Sequence, residues 1–140
     1  MIDGTRVVHE VRYPHPPERV WRALTDHTEL SAWLMPNDFT PEEGARFRLD
    51  ARPDHLEPFD CEVLEVDNPH RLSYTWVSGG ESDLPHTTVV TWTLTEADGG
   101  VTRLHLEQSG FRSEAKQEIG GAKYGWMGML DQLQRLVTSA

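Results

Sequence analysis

Few groups in this chain could do covalent or metal chemistry: it has seven histidines and one cysteine among 140 residues. His9, His15, His27, His55, His70, His86 and His105 are scattered without the paired spacing that brings two imidazoles to one metal, so each reads as a lone surface histidine. The densest group of potential ligands is Asp54-His55-Leu-Glu57-Pro-Phe-Asp60, a proline-flanked stretch whose ordinary meaning is a solvated acidic turn. Cys61 lies in an apolar run between Asp60 and Glu62, whose charges oppose a thiolate, so it is not expected to act as a nucleophile. No nucleophile elbow, Ser-His-Asp spacing or dinucleotide fingerprint occurs, and Gly120, Gly121, Gly125 and Gly128 are not followed by the Gly-Lys-Ser or Gly-Lys-Thr of a phosphate loop. The expectation is therefore no catalytic residue, no metal and no cofactor.

Binding chemistry is better supplied, with five tryptophans. Period-two alternation places Leu72, Tyr74 and Trp76 on one face of a strand, and Val90, Trp92 and Leu94 likewise. It also turns Leu104, Leu106 and Gln108 to a common side, where the Gln108 amide needs either a partner or a ligand. Trp21, Tyr74, Trp76, Trp92, Gln108, Trp126 and Met129 are the expected ligand contacts. Filling the core stands beside lining a pocket as a reading of each aromatic, and a water or backbone partner stands beside a ligand for Gln108.

Elements to position these residues follow from punctuation and period. Arg6 to Tyr13 alternates like a strand and is stopped by Pro14-His-Pro-Pro17. Pro17 suits the first turn of a helix, Glu18 complements its positive end, and Val20, Trp21 and Leu24 share one face. Asp26 is placed to cap a second short helix through Leu30, Trp33 and Leu34, ended by Pro36 and Asn37. Strands are predicted over Ala45 to Asp50, Phe59 to Val66, Arg71 to Val77, Thr87 to Leu94 and Val101 to Gln108. Asn68-Pro69-His70 and Ala97-Asp98-Gly99-Gly100 are turn chemistry, so closely spaced strands imply an antiparallel meander. From Ser113 to Val137 a long amphipathic helix carries Ile119, Ala122, Trp126, Met129 or Leu130, Leu133 and Leu136 on one stripe, facing the sheet. Four glycines in that helix each cost about 1 kcal/mol relative to alanine, which predicts a late start to the helix, close packing against the sheet or a flexible gate.

One domain spanning residues 1–140 is expected from the length and from the absence of a linker, repeat or low-complexity tract. Thirteen lysines and arginines against 23 acidic residues leave a formal charge of -10, which sets long-range repulsion against nucleic acid and anionic membranes. Lacking an apolar run of membrane length, a signal sequence and a second cysteine, the chain reads as a cytoplasmic protein with no membrane insertion.

The order strand, two helices, five strands, long helix resembles the START-like helix-grip superfamily, also called SRPBCC. Pro16 to Leu24 with Trp33 after it, the pair of strands from Cys61 to Trp76, Gly100 to Phe111, and Gly125-Trp-Met-Gly-Met-Leu-Asp-Gln-Leu resemble its branch named for the activator of the heat shock protein 90 ATPase. The resemblance implies an α+β helix-grip fold, related to polyketide cyclase and lipid-transport proteins: a curved antiparallel six-stranded sheet wrapped around a long C-terminal helix, with two short helices after the first strand. It also implies a cavity between sheet and helix, and hence a non-enzymatic protein, monomeric or weakly dimeric, that binds a hydrophobic, aromatic or polyketide-like molecule. A cyclase- or hydrolase-type enzyme using the same cavity is the alternative, requiring an inward general acid or base that the chain does not supply beyond Tyr74. A co-chaperone-like module ranks last and a chaperone partner is not expected, because the matching eukaryotic proteins carry a further domain.

Overall fold

The computed structural model describes residues 6–50, 59–78, 86–111 and 116–139. Asp54, His55 and Glu57 of the acidic stretch lie outside these residues, as do the side chains of His86 and Ile119. Strand β1 (Val7–Tyr13) is followed by helices α1 (Pro17–Thr25) and α2 (His27–Trp33). Strands β2 (Arg46–Leu49), β3 (Phe59–Asp67), β4 (Arg71–Ser78), β5 (His86–Ala97) and β6 (Val101–Ser109) come next, and α3 (Lys116–Ser139) closes the order.

Local chemistry sets the two short helices. Pro17 opens α1 with Glu18 in its first turn, and its buried face is Pro17, Val20, Trp21, Ala23 and Leu24. Asp26 serves both helices: its N–H donates to the Arg22 carbonyl at 2.9 Å, and its Oδ1 accepts from the amides of Thr28 and Glu29 at 2.9 and 3.2 Å. The Trp33 indole then donates to the Ala23 carbonyl at 2.8 Å, which fixes the second helix against the first.

The sheet is antiparallel in every pairing, with strand order β1-β6-β5-β4-β3-β2. Five consecutive strands form the expected meander, and β1 closes on the far side of β6. Strand β5 runs three residues past the expected Leu94 because its ladder with β6 continues through Thr95, Glu96 and Ala97 to the turn. There Gly99 and Gly100 take φ of 79° and 75°, a left-handed backbone that glycine adopts without penalty. Strand β2 is shorter than expected at both ends: the Ala45 amide turns back to the Glu42 carbonyl, and the Asp50 amide leaves the sheet for the Pro36 carbonyl.

Register aligns the inward side chains in rows. Val63, Tyr74, Val90, Gln108 and Val7 face one another in turn across five strands, and Leu72, Trp92 and Leu106 form the next row. Helix α3 covers this face with Trp126, Leu130, Leu133 and Val137 buried and Ala122, Met129 and Leu136 packed beside them. These positions follow the expected stripe, with Leu130 and Val137 rather than Met129 and Leu136 taking the deepest places. Its second half is tied down by side chains of other elements: Tyr13 donates to the Leu130 carbonyl at 2.9 Å and Arg19 to the Leu136 carbonyl at 3.4 Å. Among the described residues no helix is long and apolar enough to cross a membrane.

Candidate ligand-binding site

Five of the seven expected contacts, Tyr74, Trp76, Trp92, Gln108 and Trp126, meet between the sheet and α3. Trp92 on β5 meets Trp126 on α3 edge to face at 5.4 Å between centroids, and Trp126 meets Trp76 on β4 at 5.5 Å. Trp92 also stands 5.8 Å from Trp33 of α2 in a nearly perpendicular arrangement. Such edge contacts set the positive rim of one ring against the negative face of another, worth about 0.5–1.5 kcal/mol each beyond the area they bury. Tyr74 continues the cluster toward β2, where its ring lies 5.2 Å from Phe47 and 6.3 Å from Phe39. Met129 is half-buried beside the core. Trp21 is buried too, but on α1 with Val20 and Leu24.

A chain of hydrogen bonds runs through the aromatic rings. Trp126 donates its indole N–H to Gln108 Oε1 at 2.8 Å, and Gln108 Nε2 donates to Thr88 Oγ1 at 2.9 Å. Thr88 in turn donates to the Trp76 carbonyl at 3.0 Å. Beside it, Trp92 donates its indole N–H to the Tyr74 hydroxyl at 2.9 Å. Gln108, the inward polar residue of β6, thus has two side-chain partners, and both lie in this cluster. With Trp76, Thr88 and Gln108, the chain lies toward the end of the sheet where β4 stops, β5 starts and β6 stops.

Titration in this region is suppressed rather than poised. Burial raises the Tyr74 hydroxyl well above its ordinary value, the bond from Trp92 opposes this in part, and Cys61 adds to the rise. The hydroxyl stays protonated at neutral pH and offers a proton to hydrogen-bond rather than a base. Cys61 is pushed up to about 12, first by burial and then by Asp60 and Asp38; of the two neighbours expected to raise it, Asp60 contributes and Glu62 is not among the causes. Among the described residues no group of three or more His, Cys, Asp or Glu side chains is placed to hold a metal ion.

Two features escape sequence reading. Thr88 and Trp33 belong to the cluster; alternation with Val90 and Trp92 marks Thr88 as inward-facing, whereas nothing local brings Trp33 to Trp92, because that contact depends on how α2 folds back. The second feature is an open groove of about 450 Å³ at the sheet's edge, between His9, Val11 and Tyr13 of β1 and Met127, Leu130 and Asp131 of α3. None of the seven expected contacts lines it.

Comparison with known proteins follows the architecture. Residues 14–138 match the family model described as Activator of Hsp90 ATPase homolog 1-like protein. Protein MLL2253 from Mesorhizobium loti has 42% sequence identity and a TM-score of 0.90, covering 96% of this chain and 98% of its own. BH1534 from Bacillus halodurans has 28% identity and a TM-score of 0.78, over 94% of this chain and 96% of its own. DynU16, from the dynemicin biosynthetic locus, has 27% identity and a TM-score of 0.82; the match covers 96% of this chain but 47% of DynU16. No protein with a curated description matches.

Proposed function

This chain belongs to the family of Activator of Hsp90 ATPase homolog 1-like proteins and has the helix-grip fold, and from that premise we propose that it binds a small, flat, hydrophobic molecule between its sheet and α3. The contacts are Tyr74, Trp76, Trp92, Gln108, Trp126 and Met129, with Trp21 of α1 as the seventh. One observation carries the reading: the Trp126-Gln108-Thr88 chain buried among aromatic rings. Apolar side chains at positions 108 and 126 together would close a core about as well, because a buried hydrogen bond contributes only about 0.5–1.5 kcal/mol net and leaves a costly orphan when one partner is missing. Polar groups that converge in an otherwise apolar wall are what fixes a ligand's orientation.

The same geometry describes the ligand. To enter, it must replace the edge-to-face partners of Trp76, Trp92 and Trp126, which an aromatic ring does and a flexible alkyl chain does not. It must also supply an oxygen acceptor for the Trp126 N–H or a donor for Gln108 Oε1, which points to an aromatic compound bearing a carbonyl or hydroxyl. The location of DynU16 in a biosynthetic locus accords with a protein that handles an organic metabolite. Burial holds Tyr74 protonated, so it is not a general base at neutral pH.

Tryptophan fluorescence tests the reading. Titration with naphthol, anthraquinone and a fatty acid is expected to quench or shift emission with the aromatic compounds, and Gln108→Leu is expected to weaken binding about two- to tenfold, the equivalent of one charge-free hydrogen bond. No response to any compound, or an undiminished response in Gln108→Leu, refutes it.

A further inference from the structure

We propose that β1 is the docking edge for a second copy of this chain: two β1 strands pair antiparallel about Val11 and join the two sheets into one. The two edges of the sheet are finished differently. Strand β2 spans four residues and is covered: the Arg48 amide donates to Asp38 Oδ1 at 2.7 Å, the Asp50 amide donates to the Pro36 carbonyl at 2.9 Å, and Asn37 bridges to Leu49. Strand β1 spans seven residues, and among the described residues no hydrogen bond from outside its ladder with β6 reaches the backbone of residues 7–12. In an antiparallel ladder every second residue turns its N–H and C=O away from the neighbouring strand, so this edge presents a row of donors and acceptors to a further strand.

Charged side chains commonly guard such an edge, but those of β1 match a copy of themselves. Val8, Glu10 and Arg12 are exposed and alternate with the inward Val7, His9, Val11 and Tyr13. Pairing about a two-fold axis at Val11 sets Glu10 of each copy directly opposite Arg12 of the other, on the same face. Within its own sheet Arg12 stands opposite Arg103, a like charge, and it has no carboxylate partner among the described residues. The second copy supplies one. Apolar exposure gathers beside the same edge. Among the described residues the exposed large hydrophobics are Val8, Leu64, Tyr124 and Met127, and three of these four lie on β1 or on the part of α3 whose Lys123 carbonyl meets His9 Nε2 at 3.1 Å. Met127 lines the groove of about 450 Å³ with Val11 and Leu130, and Tyr124 lies one turn before it on the same side of the helix. Because opposed residues share a face, the two grooves fall on the same side of the joined sheet, on either side of the axis, where each copy covers the other's Met127 and Val11.

Sedimentation velocity tests the pairing at physiological salt, where a Debye length of about 8 Å screens the charge of -10 on each copy. The sedimentation coefficient is expected to rise from the monomer to the dimer value between about 5 and about 500 µM. Glu10→Arg and Arg12→Glu, each alone, oppose like charges twice per dimer and are expected to weaken association about tenfold. An equimolar mixture of these two variants restores both opposed pairs and is expected to regain the affinity of the unmodified protein, a recovery that a folding defect in either variant cannot produce. The double variant Glu10→Arg/Arg12→Glu, which exchanges the charges within one chain, is expected to dimerise like the unmodified protein. A monomer throughout the range, a dimer indifferent to both single variants, or a mixture and a double variant no tighter than the single variants overturns the pairing.

Discussion

Replacing Gln108 by leucine and Trp126 by phenylalanine, singly and together, separates a hydrogen bond in the cluster from the packing around it. In Gln108→Leu the Trp126 N–H loses its acceptor at a position 3% exposed, where water cannot replace it. A buried donor left alone costs about 1–3 kcal/mol. Thr88 loses an incoming bond but still donates to the Trp76 carbonyl, so its share of the cost is small. In Trp126→Phe the orphan is Gln108 Oε1 instead, again at about 1–3 kcal/mol, and a smaller ring weakens both edge contacts, to Trp76 and to Trp92. The double variant removes donor and acceptor together and leaves no orphan, so its destabilisation is expected to fall short of the sum by about 1–2 kcal/mol, within the range seen for residues in direct contact. Urea denaturation at neutral pH, followed by far-ultraviolet circular dichroism so that the removed indole does not distort the signal, gives all three values from one slope. Losses that add to within about 0.5 kcal/mol would mean that the 2.8 Å bond carries no coupling, and the argument that this polar chain is expensive to break would be wrong.

Alkaline pH is expected to destabilise the fold in a definite order. Cys61, Tyr13 and Tyr74 are all raised, chiefly by burial, so their contribution is complete below the unfolded values of 9.0 for the thiol and 10.0 for the phenols and is lost as pH rises from there. Unfolding free energies from urea denaturation should hold level from pH 7 to pH 8.5 and then decline by up to about 1.4 kcal/mol per pH unit for each group engaged; Cys61→Ala should remove the earliest part of the decline, and an unchanged onset in that variant would contradict the assignment. Glu29→Ala is expected to cost about 1.5–3 kcal/mol, because Glu29 accepts from Arg19 and Arg22 at 2.7 Å each and Arg19, mostly buried, bridges α1 to the Leu136 carbonyl. Thermal unfolding of that variant reads the loss, and a shift under one degree would show that the pair is solvent-screened.

The parts of this architecture written in local chemistry are the parts that could be read from the chain alone. Period-two alternation in β4, β5 and β6 assigned Tyr74, Trp76, Trp92 and Gln108 to one face, and register then set Tyr74, Val90 and Gln108 side by side. Asp26 was legible as a cap because the geometry of an aspartate before a helix is a matter of two or three residues. Partners that meet across the fold were not legible. Period predicts that Gln108 faces inward but carries no information about the indole that arrives from 18 residues later, and likewise Trp33 reaches Trp92 only through the packing of α2. The helical glycines show the limit most clearly, since close packing and a gate cost the chain the same propensity. The space around a Cβ at Gly120, Gly125 and Gly128 is open, so close packing is not the reason for glycine at these three positions. Helix α3 gives up stability at Gly120, Gly125 and Gly128 without gaining a contact there, and the core it covers keeps a polar chain that an apolar pair at 108 and 126 would replace, so both departures from the cheapest packing involve this helix. Two such local costs on one helix and the core beneath it are the physical reason to look for binding there.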